Sequence, residues 1–181
     1  MISGLPLVIR ALQDGDEASF LVAHADLADD GFCFGPGYHV GMLWEEYLQT
    51  RADQQNGHSV PDNFVPATFL VATLSDEIVG RVFVRHTLND RLRREGGHIG
   101  YCVVRRYRRL GIATALLRHG LTVAGRHGVQ NISVTCDQGN PASRRVIERC
   151  GGRLDSVGAH SESGVPVLRY WLSQHDESAT G

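Results

Sequence analysis

The chain contains no lysine, and arginine supplies all 18 of its permanently basic side chains. Without lysine it lacks the GxxxxGK[ST] loop with which many nucleotide-binding proteins hold phosphates. The GxGxxG fingerprint of dinucleotide-binding folds does not occur either. These two phosphate-binding loops are therefore excluded, and any phosphate ligand must be held in another way.

Metal and disulfide motifs are also missing. The nine histidines form no HExxH pair, and no CxxC pair occurs among the four cysteines, which are Cys33, Cys102, Cys136 and Cys150. Cys102 and Cys136 lie within apolar, strand-like runs, where a free thiol behaves as a small hydrophobic side chain. We therefore expect no metal site and no disulfide framework.

Long apolar runs are absent as well. No stretch of about 18 apolar residues occurs, so no membrane-spanning helix is expected. The first ten residues have no basic leader before an apolar segment, and no secretory signal is expected. With 42% apolar and 21% charged residues among 181, the composition is typical of a globular protein. We expect one domain, residues 1–181, located in the cytoplasm.

Charge is divided unevenly along the chain, although the net charge is only −2. Residues 1–80 carry a balance of −10, whereas residues 81–181 carry a balance of +8. A domain divided in this way can bind an anion on one side and a cation on the other. The alternative is that these charges only cap helices and solvate surfaces, and the sequence leaves both interpretations open.

The periodicity of apolar residues predicts an α/β (α+β) fold, with a central mixed, largely antiparallel sheet flanked by helices. The predicted strands span residues 6–12, 67–74, 78–88, 98–104, 131–135, 153–158 and 165–172. Helices are predicted for residues 14–28, 42–54, 112–126 and 141–151, and loops for residues 31–41 and 89–97.

One turn carries a candidate phosphate site that needs no lysine. A strand ending near Val104 runs into a tight turn that opens the helix 112–126. The first N–H groups of a helix have no internal partners and carry partial positive charge, so they bind phosphates. Arginine side chains add charge there, and small residues let the backbone approach the ligand. The turn and the helix start consist of Arg108, Arg109, Leu110, Gly111, Ile112, Ala113 and Thr114, in which Arg108 and Arg109 supply the charge and Gly111 and Ala113 are the small residues.

The pattern of this turn, Arg-x-x-Gly-x-Ala, resembles the pyrophosphate loop of the GNAT acetyltransferase superfamily. The resemblance covers nearly the whole chain, including the segment Asn140-Pro141-Ala142-Ser143, which is similar to the family's second cofactor motif. It implies a GNAT fold, acetyl-CoA as the co-substrate, and direct attack of an acceptor amine on the thioester. The resemblance further implies cofactor contacts from Tyr101, Cys102, Val103, Asn140 and Ser143.

The reaction needs groups that move protons. An amine with a pKa near 10.4 is neutral only about one part in 2,500 at pH 7, so a base or a desolvating pocket is required. His98 is the first candidate base because its ordinary pKa suits the task. Strand alternation directs it away from residues 99, 101 and 103, so a structural role is equally open. The other candidate bases are Asp137, Glu95 and His86.

The leaving thiolate also needs a proton. Many GNAT members place a tyrosine seven positions after the asparagine of the second motif, where this chain has Ile147. Tyr101 is the first substitute for that proton donor, and Ser143 is the second.

The acceptor is left open by the sequence. Segments such as 65–70, 97–101 and 169–171 resemble a subgroup of predicted GNAT acetyltransferases, near which some aminoglycoside-modifying enzymes of antibiotic resistance fall. Asp29, Asp30 and Glu45 are candidates for an acidic rim that favours a cationic small-molecule acceptor such as an aminoglycoside.

The sequence leaves other acceptors and one other function open. Amino acids, peptide or protein amines, and a non-catalytic acyl-CoA-binding role are the alternatives. Nucleic acid is not an expected partner, because the arginines cluster at a turn and a loop and the net charge is negative. Whether the chain forms a homodimer stays open.

Overall fold

A computed structural model, which describes residues 6–58, 60, 64–159 and 164–173, consists of two antiparallel sheets with helices packed on both sides. The strands are β1 (Val8–Arg10), β2 (Ala67–Leu74), β3 (Glu77–Arg85), β4 (Ile99–Val103), β5 (Asn131–Asp137), β6 (Arg153–Ala159) and β7 (Pro166–Ser173). The helices are α1 (Glu17–Ala28), α2 (Trp44–Asn56), α3 (Asp90–Glu95), α4 (Ile112–Arg126) and α5 (Pro141–Arg149). The predicted mixed α/β architecture is confirmed.

The sheet is divided into two parts, in the orders β1-β2-β3-β4 and β5-β7-β6. They meet at the start of β4, where Gly97 pairs with Val134 and the His98 backbone N–H donates to the Ser133 carbonyl at 2.6 Å. Gly97 has φ +62°, and a Cβ there would lie 2.5 Å from the Ser133 oxygen, so only glycine permits this approach. Beyond this junction no backbone pairing joins β4 to β5 in the described part of the chain, and a gap opens between them.

Two cores hold the first sheet between helices. On one face, Ile112, Leu116 and Leu117 of α4 pack into an aliphatic core that also contains Ile99 and Val103 of β4. On the other face, α1 and α2 cover an aromatic core whose rings belong to Phe20, Phe34, Trp44, Tyr47, Phe69 and Phe83. Each large apolar side chain buried in this way contributes about 1.5–3 kcal/mol. The residues of β4 therefore alternate between the two cores.

One element was missed by the sequence pattern. Residues 89–97, predicted as a loop, contain the short helix α3, which begins after Asn89. The Asn89 Oδ1 accepts a hydrogen bond from the Leu92 N–H at 3.0 Å, and the Leu92 side chain is buried. One buried residue in a single turn leaves no periodicity to recognise, whereas the Asn cap was visible. Among the described residues, no helix is long and apolar enough to cross a membrane.

Candidate active site

The turn before α4 has an open helix N-terminus. Arg109 and Gly111 both have left-handed backbones, with φ +66° and +83°, and Gly111 is the N-cap residue. No side chain caps this helix, and its first turn contains no acid. The N–H groups of residues 112–114 have no acceptor within the described residues. Such a group of free N–H donors at the positive end of a 15-residue helix is suited to binding a phosphate.

The arginines of this turn differ in what they contact. Arg108 donates to Asp30 at 2.7 Å and to the Val103 carbonyl at 3.2 Å, and Arg105 donates to Asp30 at 2.8 Å. The exposed Arg109 side chain has no hydrogen bond or ion pair to any described residue. Arg109 is therefore the guanidinium that stays available to an anionic ligand at the turn.

Two residues of the acidic rim predicted around the acceptor contact arginines of the turn before α4. The Asp30 carboxylate accepts hydrogen bonds from Arg105 and Arg108, and these two bonds, that of Arg105 first, hold its pKa below the usual range. Asp29 lies 3.6 Å from Arg105, so its charge is compensated as well. Glu45 lies exposed in the first turn of α2, where an acid stabilises the helix terminus. The acidic residues 1–80 and the basic residues 81–181 therefore partly neutralise each other through ion pairs within the protein.

The free edge of β4 faces the gap. The Arg85 N–H bonds to the His98 carbonyl and the Val104 N–H to the Val79 carbonyl, which fixes the register of β3 against β4. By the alternation of an antiparallel pair, the backbone groups of Tyr101 and Val103 then point into the gap, whereas those of Cys102 point to β3. Tyr101 and Val103 keep the predicted position for pairing with a pantetheine chain. Cys102 instead packs its side chain against the aromatic core.

Tyr101 also links β4 to the start of α5 across the gap. Its hydroxyl lies 2.9 Å from the Ser143 Oγ and 3.3 Å from the Ser143 carbonyl oxygen. The Asn140 Oδ1 accepts from the Ser143 N–H at 3.0 Å and caps α5. Burial raises the pKa of Tyr101, and the Ser143 hydrogen bond opposes that rise only in part. Tyr101 thus stays protonated and can donate a hydrogen bond.

Ile147 is a core residue of this chain. Its side chain is fully buried in the core beneath α5. Position 147 therefore serves packing in this chain, and Tyr101 and Ser143 are the hydroxyl groups that the structure brings together beside the gap.

His98 joins the two sheets. Its Nδ1 accepts from the Ser133 N–H at 3.0 Å, while its own backbone N–H donates to the Ser133 carbonyl. An accepting Nδ1 places the ring proton on Nε2, so this bond must break before the ring can take up a proton. Burial, and then Arg85, lower the pKa of His98. This geometry favours the structural role over the role of general base.

Replacing His98 with alanine should therefore cost stability rather than proton transfer. The Ser133 N–H loses its acceptor, which lowers the free energy of unfolding by about 1–3 kcal/mol, while kcat stays within about threefold at each pH. The pKa of His98 is lower in the folded protein than its value of about 6.5 in the unfolded chain, so His98 makes the wild type less stable as the pH drops below about 6.5. The alanine variant lacks this contribution, so its free energy of unfolding should depend less on pH in that range. Urea titrations between pH 5 and pH 8 and pH–rate profiles measure both effects. A kcat lowered by about 10² would make His98 the base.

The other candidate bases lie in different surroundings. Asp137 is exposed at the end of β5, three residues before Asn140 and so near the same end of the gap as Ser143. His86 stacks on His127 at 3.5 Å between ring centroids, and burial followed by His127 lowers its pKa to about 4. A base so weak has little tendency to accept a proton from an ammonium. Glu95 ends α3, where its carbonyl oxygen accepts a hydrogen bond from the Thr135 hydroxyl, so Asp137 and Glu95 stay the carboxylate candidates.

One contact of this site was missed by the sequence. Arg81, only 5% exposed, donates to the Cys33, Phe34 and Gly100 carbonyls at 3.1, 3.0 and 3.0 Å. It thereby fastens the loop between α1 and α2 to β4. The sequence signal for these contacts was an arginine among the apolar residues in the middle of β3, because a buried charge needs hydrogen-bond partners.

Comparison with known proteins identifies the family. Residues 14–152 match the model of the acetyltransferase (GNAT) family, which is well over half of the chain. The chain therefore belongs to the acetyltransferase (GNAT) family, and it is an acyltransferase. No curated protein sequence matches the chain.

Solved structures of similar fold include several acetyltransferases. A GNAT-family acetyltransferase from Streptococcus pneumoniae has a TM-score of 0.63 and 22% identity, over 93% of this chain and 99% of that one. The yncA protein of Salmonella typhimurium, solved with its cofactor acetyl-CoA, has a TM-score of 0.62 and 14% identity, over 97% and 98%. Mycobacterium smegmatis RimJ, in complex with CoA-disulfide, has a TM-score of 0.68 and 21% identity, over 96% and 85%. At these identities the likeness is one of fold.

Proposed function

We propose that this protein transfers the acetyl group of acetyl-CoA to the primary amine of a small acceptor. The observation that carries the proposal is the uncapped N-terminus of α4, with Gly111 at its turn, directly after the free edge of β4. Residues 108–114 would hold the pyrophosphate, and the backbone of Tyr101 and Val103 would pair with the pantetheine arm. Asn140 and Ser143 would border the cofactor from the start of α5.

The chemistry assigned to these residues is acyl transfer without a covalent enzyme intermediate. The neutral amine attacks the thioester carbonyl, a C–N bond forms, the C–S bond breaks, and the ammonium proton ends on the thiolate or in water. The Tyr101 hydroxyl is placed to donate a hydrogen bond to the leaving sulfur, and such a donor stabilises charge that develops in the transition state. Asp137 would take up the amine proton at the mouth of the gap.

The supply of neutral amine favours an α-amine over a side-chain amine. An α-amino group with a pKa of about 7.7–8.0 is neutral about one part in ten at pH 7, against about one in 2,500 for an amine near 10.4. The difference amounts to about 3 kcal/mol, which matters in a site whose best-placed histidine is engaged by the Ser133 N–H. A structure of similar fold is RimL, a ribosomal L7/L12 alpha-N-protein acetyltransferase. Peptide N-termini are therefore the acceptors we propose first, because the carboxylate of a free amino acid raises the pKa of its amine.

A cationic acceptor such as an aminoglycoside is the competing proposal. It would use the exposed acids of α2, Glu45 and Glu46, since Asp29 and Asp30 already pair with arginines. Electrostatic attraction to such acids is screened within about 8–10 Å at physiological ionic strength. For this acceptor, kcat/KM should fall steeply between low and moderate salt.

The deciding experiment is a turnover screen that follows release of free CoA from acetyl-CoA. Amino acids, short peptides, polyamines and aminoglycosides are compared, each at low and moderate salt. We expect α-amines to give the highest kcat/KM with little dependence on salt. Faster turnover of polycations with a steep salt dependence would replace the α-amine by the aminoglycoside-type acceptor, and the absence of turnover with every amine would overturn the proposed function.

A further inference from the structure

Three polar side chains on one face of α2 are buried. Tyr47, Arg51 and Gln54, spaced four and three residues apart, are 0%, 9% and 5% exposed. The spacing places them on one stripe of the helix, directed into the protein, while the other face of α2 carries exposed acids. A stripe of this composition is unusual, because arginine is almost never buried unless it is paired.

The polar atoms of this stripe lack partners. The Tyr47 hydroxyl, the Arg51 Nε and Nη1, and the Gln54 Oε1 make no hydrogen bond, and no carboxylate of the described residues pairs with Arg51. Gln54 uses only its amide N–H, which donates to the Val65 carbonyl at 2.9 Å. Buried polar groups are nearly always satisfied, and a buried charge without a partner is costly. A function that uses the charge would explain why it is kept.

The loop between α1 and α2 closes over these groups. A Cβ at Gly37 would lie 3.3 Å from the Arg51 Nη2, and one at Gly35 would lie 2.9 Å from the Tyr47 hydroxyl. The Arg51 guanidinium carbon lies 5.1 Å from the centroid of the Tyr47 ring. The guanidinium thus lies against the ring of Tyr47, while its Nε and Nη1 have no hydrogen-bond partner.

A second buried arginine lies on the same side. Arg81 donates to the Cys33 and Phe34 carbonyls of this loop and to the Gly100 carbonyl of β4. Burial raises the pKa of Tyr47, and the positive charges of Arg51 and then Arg81 oppose that rise. Among the described residues neither guanidinium has a carboxylate partner, and that of Arg81 lies against β4, the strand whose free edge borders the gap.

We infer that Arg51, together with Tyr47 and Gln54, binds a carboxylate of the acceptor, so that the acceptor is an amine that also carries a carboxylate. This inference rests on the proposed function and names the acceptor class of that site. A guanidinium and a phenol hydroxyl both donate to a carboxylate, and Gln54 Oε1 accepts from a donor of the same molecule. Arg81 adds positive charge from β3, and its hydrogen bonds hold the loop between α1 and α2 next to β4.

The test compares each L-amino acid with its own primary amide as acceptor, in the acetyl-CoA turnover assay, at equal concentrations of the neutral amine, because the carboxylate raises the pKa of the α-amine. For the preferred acceptor, we expect the wild type to lose about tenfold or more in kcat/KM when the carboxylate is replaced by the amide. Arg51→Gln should bring the acid down to the rate of the amide, and Arg51→Lys should restore part of the difference. Arg126→Gln, which removes an exposed arginine at the end of α4, serves as the control and should keep the wild-type ratio.

Stability separates a binding role from a packing role. Arg51→Met removes the unpaired charge but keeps an unbranched apolar stem over Tyr47, so Tm should stay equal or rise while acid discrimination is lost. A lower Tm with an unchanged acid-to-amide ratio would mean that Arg51 only packs, and the inference would fall. Equal rates for acids and amides in the wild type would overturn it too, while leaving the proposed acetyl transfer intact.

If no amine is acetylated, the proposed function fails. The carboxylate site is then tested by measuring whether the acids bind to the protein without turnover. The same acids and amides are then added at millimolar concentration in thermal unfolding of the wild type and of Arg51→Gln. A rise of Tm with acids only, absent in Arg51→Gln, supports the carboxylate site; no rise, or an equal rise in both proteins, overturns it.

Discussion

Replacing Gly111 with valine is expected to raise the Kd of acetyl-CoA about tenfold or more, equivalent to about 1.4 kcal/mol or more, while the fold survives. Gly111 has φ +83°, and no atom lies within 4 Å of the position that its Cβ would take. The new side chain therefore clashes with nothing in the protein. It would stand on the open side of the turn, where the phosphates approach the N–H groups of α4, and it would disfavour the left-handed backbone that presents them.

Gly128→Val is the matched control. Gly128 follows the other end of α4, has φ +77°, and also has no atom within 4 Å of its Cβ position. Both variants carry the same kind of backbone strain, so both should lose stability to a similar extent. Only Gly111→Val should weaken cofactor binding in calorimetry. Equal Kd values for the two variants would place the pyrophosphate away from this turn.

Tyr101→Phe is expected to lower kcat by about 10²–10³, with the Kd of acetyl-CoA within about threefold of wild type. The phenylalanine ring fills the same space against the aliphatic core, so the loss is that of the hydroxyl beside Ser143. Because burial raises the pKa of Tyr101, this group stays protonated beyond the usual tyrosine value of about 10. Wild-type kcat should accordingly show no decline from Tyr101 as the pH rises from 7 to about 10.

Two further variants isolate the role of that hydroxyl. Tyr170→Phe removes a buried hydroxyl that lies 3.4 Å from the Glu148 carboxylate, and it should leave kcat within about threefold. Ser143→Ala removes the hydroxyl group bonded to Tyr101 and tests whether the proton passes through Ser143. If Tyr101→Phe also stays within about threefold, the thiolate takes its proton from water or from the amine itself.

Local features of the site could be predicted because they depend on neighbours in sequence. The turn before α4 follows from Arg108, Gly111 and the amphipathic helix after them, and the cap of α5 follows from Asn140 and Pro141. Strand alternation also argued that His98 points away from Tyr101, and in the structure His98 bonds to Ser133 instead. Each of these inferences needs only the period of one element and its end residues.

Features that join distant residues could not be predicted in the same way. Asp30 and Arg105 are 75 residues apart, and their ion pair joins the residues after α1 to the turn before α4. Arg51 lies among polar residues of α2, a composition typical of an exposed helix, and only the packing of loop 31–41 over it buries the side chain. Burial of a polar side chain depends on what covers it, which the local sequence does not record.

The narrow junction between the two sheets has a consequence for the lifetime of the protein. Within the described residues, backbone hydrogen bonds join the two sheets only around Gly97, His98, Ser133 and Val134. A molecule bound in the cleft beyond this junction can therefore bridge the two sheets. Acetyl-CoA bound there, as proposed, would contact both sheets and stabilise only the folded state, by about 2.7 kcal/mol at a concentration of 100 Kd. Resistance to proteolysis and to heat would then rise and fall with the supply of acetyl-CoA, so that the abundance of the protein follows the availability of its co-substrate.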